Sequence, residues 1–557
     1  MSSRAARGAP SRAARGAPSC AARLAPACTV LLLAFGGARA ADLGKADGFD
    51  VRWDTSVRET LGFRTEGVNP ELLTDINADD GDRAFGTGLM SARVDLLSEL
   101  TAERDDFGFD LSAQGWYDPI YHQHSAGDSP KTFNPISVPY NEFPKDVRRL
   151  MGGDAELLNA FVKDRFVVDD LPVSVRIGRQ TLLWGESLFF AGNGIAAGQA
   201  PVDLIKSQGA PLAEAREVFL PVAQAVMRVE LRHGVALEAY DQFEWRRDRI
   251  PGVTSYFSTT DILDQGGEQV LLPGGKWLLR TEDFVPHGLG QFGVALRVQG
   301  DAADYGLYAL RFDAKLPEPV FDTARGTYHL VFPRDIDVIG ASASGYLGAS
   351  NIAGEISLRR HMPLAAGGAG LPGGFGANGG TVYAAAYAAA NIPAYAGPWA
   401  DTATPTTTPG GFATGDTWHA QTSIVSQLPP SRWWQGASLQ AEIAANDLLG
   451  VTGGHPFVLA GRTHFAASLR AVFTPSYFQV LPGLDLDVPV GLGYTPIGRS
   501  SIDSTENAGA GDVTIGVSAT YRAVWQIAAS FTHFIGGATP QPLADRDFVT
   551  ISAARSF

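Results

Sequence analysis

The sequence predicts an all-β chain, a transmembrane antiparallel β-barrel of about eighteen strands, with sixteen as the alternative count. Three observations carry this expectation. Apolar and polar residues alternate with a period of two in segment after segment, as they do when one strand face meets hydrocarbon and the other water. The connections between these segments are alternately long and short, the pattern of extended outer loops and tight periplasmic turns. The run 547–557 places Val549, Ile551, Ala553 and Phe557 on one face and Phe548, Thr550, Ser552 and Ser556 on the other, and closes on an aromatic residue.

From the N-terminus, residues 1–40 carry six Arg and no acid, with the apolar stretch 25–35 and then Ala38-Arg39-Ala40. Charged, apolar and small-residue regions in that order read as a secretory signal cut after Ala40, leaving 41–557 as one barrel domain. The octamer SRAARGAP at 3–10 and 11–18, and both cysteines, Cys20 and Cys28, fall inside the signal. The exported chain would then hold no disulfide. A formal charge of −15 argues against nucleic acid as a partner. No stretch after residue 40 reaches the roughly 18 uncharged apolar residues of a membrane helix. With 64 Gly, 30 Phe, 15 Tyr and 10 Trp, short strands and turns are favoured over a helical or two-domain enzyme.

Eighteen strands are expected, near 49–63, 89–101, 107–117, 155–168, 172–184, 222–232, 235–246, 291–299, 305–313, 336–347, 351–360, 416–428, 436–446, 463–473, 484–494, 513–521, 524–534 and 547–557. An even count returns both ends to the periplasm, with the long connections outside and partly folded into the lumen. The segment 155–168 is ambiguous, because Asp154 followed by AELLNAF could also cap a helix. Residues 363–415, rich in Gly, Ala, Pro and Thr, read as an irregular outer loop in which 384–391 could hold a strand. Within the strands the charges keep to one face. Arg93, Asp95 and Glu99 oppose Val94, Leu96 and Leu100; Asp110 opposes Phe109 and Leu111; Arg228 and Glu230 oppose Met227 and Val229; Glu238 and Glu244 oppose Leu237 and Phe243. A wet lumen lined by these groups is implied.

The densest cluster of unusual residues is RIGRQTLLWGES, 176–187. Strict alternation would aim Arg179 at lipid, at a cost of roughly 2–4 kcal/mol at the midplane. A bulge at Gly178 is expected to turn it, setting Arg176, Arg179 and Glu186 at the lumen or its mouth, either as a selectivity feature or as plain wall ion pairs. The long connection 185–221 follows Trp184 and contains Leu188, Phe189, Phe190, Asp203 and a possible amphipathic turn at 212–219 that includes Phe219. Apolar residues of this kind are costly in an exposed loop, so inward packing is expected ahead of contact with an apolar solute.

Other patterns carry less. Asp75-Ile-Asn77-Ala-Asp79-Asp80-Gly81-Asp82 begins like a calcium loop, but position six is Asp80 and position twelve is Gly86, so a solvated acidic loop is the better reading. His122 and His124 lack a third ligand nearby. Gly288-Leu-Gly290-Gln-Phe-Gly293 matches a dinucleotide fingerprint but opens a strand. No metal, cofactor or catalytic set is expected, and the chain is not read as an enzyme.

DINADDGDRAF (75–85), RIGRQTLLWGES, Pro201-Val-Asp203 with PLAEAREVFLP (211–221), PRDIDVIGASAS (333–344) and NIAGEISLRR (351–360) together resemble a proteobacterial outer-membrane family catalogued as domain of unknown function 1302. The chain departs from it in the enlarged loop after Pro363, in its duplicated leader and in Arg555, where a final strand usually keeps an apolar residue. The resemblance implies an outer-membrane barrel of a Gram-negative bacterium, a conduit for hydrophobic or lipid-like molecules. Its implied partners are a periplasmic lipid-carrier-like protein and an inner-membrane exporter of the resistance-nodulation type. The alternatives are a general porin for polar solutes and a membrane-embedded esterase; the latter would need a Ser or Asn beside a His in one pocket.

Overall fold

A computed structural model describes residues 41–209, 218–272, 274–322, 325–365 and 411–557. The expected signal segment, most of the expected turn at 212–219 and the stretch 384–391 lie outside them. The wall is built from β1 (Phe49–Arg64), β2 (Gly88–Arg104), β3 (Phe107–Tyr117), β4 (Gly153–Val168), β5 (Leu171–Gln180), β6 (Val222–Arg232), β7 (Val235–Gln242), β8 (Gln291–Gln299) and β9 (Asp304–Phe312). It continues through β10 (Ile336–Leu347), β11 (Ser350–Pro363), β12 (Thr414–Leu428), β13 (Gly436–Gly453), β14 (Phe465–Leu481), β15 (Leu484–Asp487 resumed as Val490–Ile497), β16 (Gly511–Tyr521), β17 (Trp525–Ile535) and β18 (Phe548–Ser556). Each strand pairs antiparallel with its neighbours in sequence, and β18 returns to β1 through the register Ser56–Ser556 to Arg64–Phe548. The result is a closed barrel of eighteen strands, and the segment that could have capped a helix is strand β4.

The wall is inside out relative to a water-soluble barrel. Leu96, Leu111, Val162, Ile177, Met227, Leu237, Val294, Leu307, Ile356, Ile443, Ile515 and Ile551 are exposed, while Arg58, Asp95, Gln114, Gln224, Glu238, Glu355, His419, Glu442 and Thr550 are buried. Such an arrangement is stable only where hydrocarbon covers the outside and polar partners fill the inside. At one edge Arg555 lies over the rings of Trp525, at 5.0 Å, and Phe557, at 4.6 Å. Its charge is thus carried by aromatic faces on the outward register.

The short turns follow from local chemistry. Asp169 and Asp170 both take positive φ, 48° and 65°, between β4 and β5, as a two-residue primed turn requires. β15 is split at Val488-Pro489 because proline has no N–H to give the ladder. At the opposite, long-connection end, Gln269–Leu272, Lys276–Arg280, Glu318–Asp322 and Thr327–Val331 form a separate four-stranded sheet. It packs Val270, Leu278, Phe321, Tyr328 and Leu330 against Ile250, Ile262 and Leu448. This cap was read as plain loop from sequence, since its apolar runs are only four or five residues long.

The bulge expected at Gly178 is absent, as β5 pairs with β4 and β6 without a register shift. The irregularity lies one strand away, where Leu158 and Asn159 of β4 together face Ser112. Arg179 therefore keeps the outward register of Ile177. It sits at the strand end and bonds the Glu244 carboxylate and the Leu157 carbonyl, so no midplane penalty forces the chain to slip. Gly178 is needed for another reason. Its φ is +132°, and a Cβ there would collide with the Ala160 carbonyl and come within 2.7 Å of the Phe161 Cα. Gly178→Val is expected to cost about 1–3 kcal/mol, read as a lower melting temperature of the barrel in detergent; an unchanged melt would contradict this close packing.

Candidate functional site: the lumen and the segment that crosses it

Leaving β5, the chain turns inward and crosses to the far wall. Gln180, Gln224 and Gln242, on the inner faces of β5, β6 and β7, mark its departure. Gln180 and Gln224 donate to each other's carbonyls at 3.3 and 2.9 Å, and Gln242 donates to the Gln199 carbonyl at 2.7 Å. Trp184, 1 % exposed, packs edge-on against Tyr240 at 4.9 Å. With Leu182 and Ile195 it fills an apolar sector of the lumen formed by Val226, Ala295, Tyr308, Leu310 and Val338. Inward positions on β6 to β10 are therefore apolar where the segment lies on them.

On the far wall the anchors are polar. Glu442 of β13 accepts the backbone N–H groups of Leu188 (3.0 Å), Phe189 (2.5 Å) and Phe190 (2.9 Å). Glu355 of β11 accepts those of Glu186 (2.5 Å) and Ile195 (2.8 Å) and the Gln421 amide (3.1 Å). The Arg359 guanidinium donates to the carbonyls of Gly192, Asn193 and Gly194. Carboxylates thus satisfy the segment's N–H groups and a guanidinium satisfies its carbonyls, so the chain needs no strand or helix of its own in this region.

The later half is held by charge. Asp203 caps the short helix Leu204–Gly209 through the Lys206 N–H (3.1 Å) and pairs with Arg249 at 2.6 Å. Arg249 also reaches Glu156 of β4 (2.7 Å), as does Arg246 (2.9 Å). The guanidiniums of Arg93 (5.2 Å) and Arg249 (5.1 Å) both lie over the ring of Trp116. Val202 and Phe219 form a bridge that closes the excursion.

The other lumen candidates fall as follows. Arg93 pairs with Asp95 at 2.8 Å inside β2, and Glu99 shares their inward register. Asp110 pairs with Lys163 at 3.1 Å. Arg176 faces inward within electrostatic reach of Glu238 and Asp110. Arg228 pairs with Glu230 at 2.7 Å on the inner register of β6. Glu244 lies beyond the end of β7, beside Arg179 at the rim. Sequence reasoning did not single out Glu156, Arg249, Glu355, Arg359, His419 or Glu442. Their signal was available, since each strand member among them is a charged or imidazole side chain on the polar face of an alternating strand.

His419 Nδ1 lies 2.9 Å from Asn193 Oδ1, and Nε2 lies 3.0 Å from Thr417 Oγ1. This is the pairing an esterase reading asked for. The three side chains are buried where the segment meets the wall, and His419 bonds both of the other two. His122 bonds the Gly152 carbonyl at 3.0 Å. The acidic run 75–82 is not the solvated loop expected, since Asn77, Asp79, Asp80 and Asp82 are buried. Arg64 and Arg546, both fully enclosed, draw it inward through Asp82 and Asp545.

Fold and interior together define a lipid-facing β-barrel whose lumen is crossed by its own connection. The chain belongs to the family described as "Protein of unknown function (DUF1302)", whose model matches residues 21–557. Among solved structures it is similar to Pseudomonas aeruginosa OpdK with vanillate, at 10 % identity over 91 % of this chain and 98 % of that one, with a TM-score of 0.39. It is also similar to Acinetobacter baumannii OccAB1, at 12 % identity over 93 % and 99 %, with a TM-score of 0.41. No curated protein matches it in sequence.

Glu506, in the connection 498–510, accepts from the Asn446 amide at 2.7 Å, and burial followed by the nearby Asp503 pushes its carboxyl up to about 8. A folded-state value above the free one stabilises the protonated fold. That contribution is full below the free carboxyl range and is lost as pH rises through about 8. Hydrogen exchange in 498–510 is expected to quicken from about pH 5 up to about 8 beyond the intrinsic trend, and Glu506→Gln to abolish the excess; equal excess in both proteins would refute it.

Proposed function

We propose that the protein is a channel of the Gram-negative outer membrane in which the segment 181–209 is an inner gate, and that its solutes are small hydrophobic or lipid-like molecules. The single observation that carries the solute class is the tip of the segment. Leu188 is 38 % exposed although it lies among polar wall residues, with Phe189 and Phe190 half-buried beside it. Their backbone is fixed by Glu442 while their side chains stay available, and Phe189 lies 6.0 Å from the Arg470 guanidinium. An apolar tip kept in a polar lumen supports contact with an apolar solute. The buried Trp184 and Ile195, in contrast, serve packing.

A general porin for polar solutes is the competing reading, favoured by the charged inner registers of β2, β4 and β6. The periplasmic carrier and inner-membrane exporter that the family resemblance implies would meet the short-turn end, because short turns face the periplasm. In planar bilayers the wild-type barrel is expected to conduct little, and Glu442→Ala, which frees three N–H groups at the tip, to raise conductance at least several-fold. Leu188→Asp with Phe190→Ser should reduce uptake of an apolar reporter into liposomes while sparing ion conductance. Large ohmic conductance in the wild type, unaltered by either change, would leave the porin reading in its place.

A further inference from the structure

The acidic run at 75–82 and the long connection after β7 meet in a buried group that the barrel and its gate do not use. One carboxylate oxygen each from Asp79, Asp80 and Asp261 lies within 4.8 Å of the others, and all three side chains are buried. The basic neighbours do not balance it. Asp82, two residues beyond Asp80, receives Arg546 at 2.8 Å, but Arg83, the guanidinium paired with Asp79, is divided between Asp79 (2.6 Å) and Asp128 (2.9 Å). Asp80 accepts the Asn134 N–H at 3.0 Å, and Asp261 accepts the Asp80 N–H at 3.2 Å.

Neutral oxygens beside the carboxylates supply a separate observation. The Thr254 hydroxyl and the Asn134 side-chain carbonyl are sealed from solvent and have no hydrogen-bond partner among the described residues, and the same holds for Oδ1 of Asp79 and of Asp261. Thr254, 2 % exposed, lines with Asp80 a cavity of about 10 Å³, the room of one water-sized particle. Orphaned buried oxygens are costly unless a donor or a cation takes their lone pairs. The two loops are also held at a fixed distance. A Cβ on Gly81 would stand 2.7 Å from the Ser258 carbonyl oxygen and 3.0 Å from that of Ser255, so the backbone runs of both loops are in contact.

We propose that Asp79, Asp80 and Asp261, completed by the oxygens of Thr254 and Asn134, bind a calcium ion that staples the connection after β1 to the connection after β7. All-oxygen ligands, several carboxylates and an irregular arrangement suit calcium better than the strict octahedron of magnesium, and exposure to the outside medium makes millimolar affinity sufficient. The proposal is independent of the transport reading. It departs from the failed sequence match to a calcium loop because the third carboxylate comes from a connection about 180 residues away, which no local spacing reveals.

The test uses the full-length barrel in detergent, stripped with chelator and then dialysed against calcium or magnesium. Mass spectrometry of bound metal should find one calcium per chain, and calcium should raise the melting temperature by several degrees more than magnesium does. Asp261→Asn and Asp80→Asn should lose both effects, while Glu71→Gln, an exposed carboxylate of the same loop, should keep both. If either variant fails to fold, chelation and re-addition on the wild type decide by themselves. A wild type that neither binds calcium nor responds to it overturns the proposal, as does calcium retained in a folded Asp261→Asn protein.

Discussion

Closure of the hydrogen-bond ladder is the constraint on which the rest of this structure depends. In hydrocarbon every unpaired peptide group costs several kcal/mol, so β18 must find β1, and it does so through nine consecutive register pairs. Once the wall is closed, side chains have only two destinations. The outward set is free to be apolar, and the inward set must find polar partners within the molecule. Arg555 lies on the outward register and is carried by Trp525 and Phe557; Glu355 and Glu442 lie on the inward register and are carried by backbone N–H groups of the crossing segment.

That second arrangement explains why the interior is ordered without being apolar. A wall carboxylate buried with no partner would be costly, and a connection inside a lumen with no ladder of its own would leave its N–H and C=O groups unmet. Each removes the other's penalty. The apolar sector around Trp184 adds area burial on the opposite side, so the segment is held by dispersion on the β6–β10 side and by hydrogen bonds on the β11–β13 side.

The wall was legible in the sequence because a period of two and the rhythm of turns are local signals, and all eighteen segments can be read that way. What was not legible depends on distance along the chain. The register of Arg179 turned on Glu244, which lies 65 residues away, so alternation alone suggested a bulge that is not there. The acidic run at 75–82 reads as solvated until Arg546 and Asp261 are brought beside it from connections hundreds of residues apart. The small cap sheet was hidden because each of its strands is too short to show a period. Among the lumen residues, the charged members of β2 and β6 are visible by face, and so are Glu355 and Arg359 of β11, but nothing in NIAGEISLRR states that these two grip a chain leaving β5.

The crossing segment also sets an order of assembly. It emerges after β5, yet Glu355, Arg359, His419, Gln421 and Glu442 belong to β11, β12 and β13. Without those three strands in place, residues 181–209 have no resting place in the lumen. The excursion gains its partners only once β11–β13 are in the wall, so its docking depends on a cylinder that is already largely closed.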